Sequence, residues 1–176
     1  MTAGAAIVVA FRLVVPLLIF RHPLAGGIAA LIADAIDVVL ISVMQLGDFG
    51  GHYHTTDKLL DSYYLAIEWT VAFGWDSPWA RWPALVLFPY RIIGVALFET
   101  TGERVMLFIF PNMFGNWWLY CLLVARFFPS IYPRSLRTTA VPMLLLLIPK
   151  MAQEYVLHYR EAQPWDWMQR NIFGID

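Results

Sequence analysis

The chain has 176 residues, of which 60% are hydrophobic, 16% aromatic and only 14% charged, with a formal net charge of −1. Soluble domains carry about 25% charged residues, so there is too little polar surface to cover a globule in water, and lipid is the expected solvent over most of the perimeter. Without a basic excess there is no electrostatic footprint for nucleic acid.

Hydropathy predicts an all-α, polytopic integral membrane helical bundle of about six transmembrane helices, covering residues 1–160. The first apolar run spans residues 3–20. It has no basic region ahead of it and no small-residue cleavage site before Arg21-His22-Pro23, so it reads as a span rather than a cleavable signal. The second span covers 24–46, beyond a tight turn, and is followed by a polar loop at 47–56 whose glycines break the helix. The third begins near Asp57, where Thr55 or Thr56 can cap it, and ends at Trp75-Asp76-Ser77-Pro78. The fourth occupies 83–98 and the fifth 105–128, with a kink expected at Pro111-Asn112. The sixth, 138–159, contains Pro142 and Pro149, which membrane helices tolerate when neighbours satisfy the freed carbonyls. Residues 161–176, with Trp165, Trp167 and Phe173, form an amphipathic tail suited to the interface.

Trp79, Trp82, Trp117, Trp118, Tyr132 and Trp165 fall near span ends or beside the kink and are expected to form an aromatic belt. Basic residues divide four against four between the two sides, so they set no orientation. Cys121, the single cysteine, lies in an apolar run and is expected to pack.

Charged residues interrupt the apolar runs: Arg12 in the first, Asp34 and Asp37 in the second, Glu68 and Arg91 in the next two. An ionisable group at membrane depth costs several kcal/mol unless paired or hydrated, so each marks a candidate site. Counted from the turn at His22, Arg12 and Asp34 lie at about 15 and 18 Å depth at 1.5 Å rise per residue, so an ion pair from Arg12 to Asp34 or Asp37 is expected. Asp34 and Asp37 share a helix face, and Glu68 should reach the same layer. Three acids then face Arg12, so Arg91 joins the network, or one acid is protonated, or a metal supplies the missing charge. Lys150 and Glu154, four residues apart, form a second expected pair.

A second group is His52-x-His54 followed by Asp57 and Asp61, which lie at i, i+4 on the third helix. These four are candidate ligands for zinc or another transition metal, beside the simpler reading of a wet polar loop and a helix cap. Around Pro111-Asn112, the amides and glycine of Asn112, Gly115 and Asn116 line a polar cavity or admit a close helix contact.

Together, Asp34-x-x-Asp37 and Asp57-x-x-x-Asp61 resemble the aspartates of the CDP-alcohol phosphotransferase family, over about residues 12–64. The resemblance implies six spans, with Asp34, Asp37, Asp57 and Asp61 holding Mg²⁺ or Mn²⁺ for transfer from a CDP-linked lipid to an alcohol. The chain departs from the family at Val38, where it has Gly, and at Ile41-Ser42, where it has Ala-Arg. It also has Tyr53 where a second glycine is expected. Those missing groups serve the diphosphate.

With no complete catalytic signature, the leading expectation is a noncatalytic membrane subunit or accessory factor of a larger, lipid-handling assembly in a bacterial inner membrane. It has no expected cofactor, and its partners are lipid and other membrane subunits. The alternatives are the metal-dependent lipid phosphotransferase and a proton or ion path through Asp34, Asp37 and Glu68.

Overall fold

The computed structural model describes residues 3–44 and 53–160, which are helical with no strand among them. Seven α-helices follow in chain order: α1 Ala3–Val14, α2 Pro23–Met44, α3 Tyr53–Ala72, α4 Pro78–Thr101, α5 Val105–Ile109, α6 Met113–Phe127 and α7 Leu136–Glu154. A 3-10 segment, Val15–Phe20, prolongs α1, and a π-helical turn, Tyr155–Tyr159, prolongs α7. The predicted tail at 161–176 lies outside the described residues.

Among the described residues, three stretches are long and apolar enough to cross a membrane: Pro78–Thr101, Val105–Phe127 and Leu136–Leu157. At 1.5 Å rise per residue, the 24 residues of α4 extend about 36 Å, against a hydrocarbon core of about 30 Å. Among the described residues, the other apolar helical stretches are Ala6–Phe20 and Pro23–Ile36, while α3 carries Asp57, Lys58, Asp61 and Glu68.

Two boundaries differ from the sequence expectation. Helix α3 starts at Tyr53, so His54, Thr55 and Thr56 occupy its first turn instead of a loop. No helix breaker lies between Gly51 and Asp57 to hold the start back. The fifth segment does not kink but breaks into α5 and α6. Phe110 (φ −111, ψ 67) and Asn112 (φ −75, ψ 71) leave helical geometry on either side of Pro111.

Prolines also bind the helices to one another. A proline at i leaves the carbonyl at i−4 without its helical donor. In α4 the prolines are Pro83 and Pro89, which free the carbonyls of Trp79 and Leu85. Thr139 Oγ1 on α7 donates to Trp79 O at 3.4 Å, and Trp69 Nε1 on α3 donates to Leu85 O at 3.3 Å. In hydrocarbon, where water cannot substitute, such side-chain donors hold neighbouring helices in register.

The core gathers Ile19, Leu65, Phe114, Trp117, Trp118 and Cys121 at the centre of the bundle. Cys121 packs there, as expected of a lone apolar-run cysteine. Trp117 and Trp118 do not belong to an aromatic belt, since both are 0% exposed. Their indole N–H groups reach carbonyls on adjacent helices, Ala80 O at 3.0 Å and Glu68 O at 2.8 Å, so neither needs the interface for its polar end. Trp79 and Trp82 are exposed, as a belt requires. At Gly26, α2 crosses the 3-10 segment so closely that a Cβ would strike the backbone of Leu18 and Ile19. The outer face is apolar: Val86, Leu145 and Ile148 are all more than half exposed.

Candidate functional site

Inside this apolar shell the helices turn polar stripes towards one another. On α3 the stripe is Asp61, Tyr64 and Glu68, spaced i, i+3, i+7. On α2 Gly27, Leu31 and Asp34 line the same space, and on α6 Gly115, Asn116 and Leu119 do, each set with one polar side chain. Lys150, Gln153 and Glu154 face them from α7, continued by Leu157, and Arg91 faces them from α4. Together these stripes line a cavity of about 370 Å³. That volume lies within the range of about 300–1,000 Å³ usual for small-ligand sites.

At one side of the cavity, Arg12 is 3% exposed and its Nη2 donates to both Asp34 Oδ1 and Asp61 Oδ1, the latter at 2.5 Å. One guanidinium nitrogen carries two N–H groups, so both bonds form at once. Lys58 Nζ lies 3.7 Å from the other Asp61 oxygen. The cluster fastens α1, α2 and α3 together by charge.

Arg91, 7% exposed, is held differently. Its Nη1 donates to Phe110 O at 2.9 Å and to Leu107 O at 3.4 Å, two carbonyls beside the α5–α6 break. The break has two further supports. Asn112 Oδ1 accepts the Gly115 N–H at 3.3 Å and caps α6, while the Asn112 N–H donates to Glu154 Oε1 at 3.3 Å. Lys150 Nζ is 2.8 Å from the same Glu154 oxygen. The broken helix is thus fastened to α4 on one side and α7 on the other.

Glu68 lies between the two clusters. It is 4% exposed, and its buried Oε2 has no hydrogen-bond partner among the described residues. Trp118 bonds to its backbone carbonyl and leaves its carboxyl facing the cavity. Gly27 makes room for this arrangement: a Cβ there would enter the Trp118 ring, 2.9 Å from Cη2, and stand 3.5 Å from Glu68 Oε1.

A shallower recess of about 520 Å³ lies among Asp76, Ser77, Trp79, Tyr132 and Arg134, at the turns between spans. Ser77 Oγ donates to Pro133 O at 2.5 Å and closes one wall. Burial raises the pKa of the Tyr132 hydroxyl, with Cys121 and Asp76 adding to the effect and Arg134, 5.9 Å from the ring centre, opposing it. Tyr132 is therefore a neutral phenol at ordinary pH and no candidate base.

Of the residues singled out from the sequence, Arg12, Asp34, Asp61, Glu68 and Arg91 meet at one cavity wall or beside it. Asp61 pairs with the buried Arg12, and Arg91 donates to backbone carbonyls. The side chains of Asp37, His54 and Asp57, and all of His52, lie outside the described residues. Among the described residues no group of three His, Cys, Asp or Glu is arranged to hold a metal. Asn116 lines the cavity, one of the two roles expected of it, whereas Tyr64 and Gln153 were not anticipated there, although i, i+3 and i, i+4 spacings relate them to Asp61, Glu68 and Lys150.

No protein-family model matches the chain, and comparison with curated proteins and with solved structures gives no match.

Proposed function

We propose that this chain is a noncatalytic, six-span integral membrane subunit or accessory factor of a larger inner-membrane assembly, and that its charged cavity receives the polar part of a lipid or solute handled there. One observation carries the choice over an enzyme: Arg12 donates to both Asp34 and Asp61. These are two of the four aspartates that a metal-dependent lipid phosphotransferase would need for Mg²⁺ or Mn²⁺. A guanidinium between them competes with a cation for the same oxygens. The remaining polar groups around the cavity brace helices through Arg91 and Glu154, which suits a scaffold with a preformed pocket. The extensive apolar perimeter offers faces for partner helices as well as lipid.

The test is purification from native membrane in mild detergent. A stoichiometric complex well above the 20.2 kDa of the chain is expected, and a stable isolated species of that mass would overturn the reading. A second reading, a proton or ion path, is favoured by Asp34, Asp61 and Glu68 lining the same cavity. In proteoliposomes it predicts a flux that Glu68→Gln abolishes, and no flux above empty vesicles removes it.

A further inference from the structure

We infer that the Glu68 end of the cavity is a binding site for a primary ammonium group, carried by a free amine or by an aminolipid headgroup. The inference rests on the reading of this cavity as a ligand site and names the chemistry it accepts. Glu68 is 4% exposed, and its Oε2 is an acceptor that no donor among the described residues reaches. A buried carboxylate without a partner is strongly disfavoured, and a cationic donor inside the cavity relieves that penalty. The described cations at the cavity are engaged elsewhere: Arg12 by Asp34 and Asp61, Lys58 by Asp61, Lys150 by Glu154, and Arg91 by the carbonyls of Leu107 and Phe110.

Two neighbours favour an ammonium over a metal ion. Tyr64 shares the cavity-facing stripe of α3, one turn from Glu68, and Asn116 lines the same cavity from α6. Neither side chain makes a hydrogen bond with the described residues. Carboxylate, phenol and carboxamide oxygens give three acceptors, the number an –NH₃⁺ group can use. A divalent metal would demand more carboxylates, and the described residues supply no such set.

The full chain, purified in detergent and titrated at constant ionic strength, provides the test. Probes are ethanolamine hydrochloride, dioleoyl phosphatidylethanolamine, dioleoyl phosphatidylcholine (which lacks N–H) and sodium chloride. Bound mass by native mass spectrometry and the thermal unfolding midpoint are the readouts. Binding of an ethanolamine-bearing probe, with phosphatidylcholine and sodium giving no equivalent shift, is the expected result. Response to the lipid alone identifies a headgroup, and response to the free amine as well identifies a soluble ligand; both support the site. Glu68→Gln should weaken binding at least tenfold with helical content unchanged. Should that variant fail to fold, Asn116→Ala, at a half-buried position, should also weaken binding. Equal shifts from phosphatidylcholine or sodium, no response to either amine, or undiminished affinity in the folded variants would overturn the assignment. A large native complex without amine binding removes this inference and leaves the assembly reading standing; amine binding by a solitary chain does the reverse.

Discussion

Arg12 and Arg91 are both almost fully buried in an apolar bundle, and they are stabilised by opposite means. Arg12 is neutralised by two carboxylates from two other helices, whereas Arg91 keeps its charge beside two backbone carbonyls that a helix break leaves exposed. A charge cluster fixes which helices meet. A guanidinium on carbonyls instead makes a break in one helix tolerable inside hydrocarbon. The same residue type therefore serves register in one place and backbone satisfaction in the other.

Substitution should separate the two. Arg12→Met leaves Asp34 and Asp61 facing each other without their shared cation, and should lower stability by about 3–5 kcal/mol, read as a fall in the unfolding midpoint in detergent. Adding Asp34→Asn and Asp61→Asn should restore much of that loss, and no recovery would show that packing, not charge, dominates there. Arg91→Met should cost about 1.5–3 kcal/mol, the scale for hydrogen bonds from a charged donor. Neutralising a nearby acid with it should recover much less than in the Arg12 series, because its hydrogen-bond partners are carbonyls; an equal recovery would erase the contrast. Trp118→Phe removes the bond to Glu68 O and part of a buried ring, for about 2 kcal/mol, and tests whether the space between the clusters depends on that anchor. The smallest effect is expected far from both. Ser135 and Thr138 form a capping box at the start of α7, and Ser135→Ala should cost about 1 kcal/mol without altering either cluster.

Much of the helical layout was legible because apolar runs and breakers are local signals. Pro111 announced the interruption between α5 and α6, and counting residues from the turn at His22 placed Arg12 level with Asp34. Spacing alone likewise indicated the Lys150–Glu154 pair. What stayed hidden depended on which helices touch. Asp61 reaches Arg12 only because α3 packs against α1, 49 residues away in sequence. The sequence left open whether Arg91 joins the acids, and its carbonyl partners were not legible, because free carbonyls exist only once the chain has broken at Phe110. Trp117 and Trp118 were misplaced for a related reason. Position near a bend suggested an interface, but buried carbonyls on α3 and α4 offered their N–H groups a better partner. The stripe Asp61, Tyr64, Glu68 was readable as one helix face, yet nothing local shows that α2, α6 and α7 turn polar faces towards it.

The anchorage of Arg91 also bears on how the chain is made. Its acceptors, Leu107 and Phe110, lie 16 and 19 residues further along, so the ribosome delivers the cation before the groups that accommodate it. Released alone into acyl chains, α4 would carry an unsolvated guanidinium. Partitioning into the bilayer is therefore most favourable when α4 waits for the broken segment behind it and the two enter together as a hairpin.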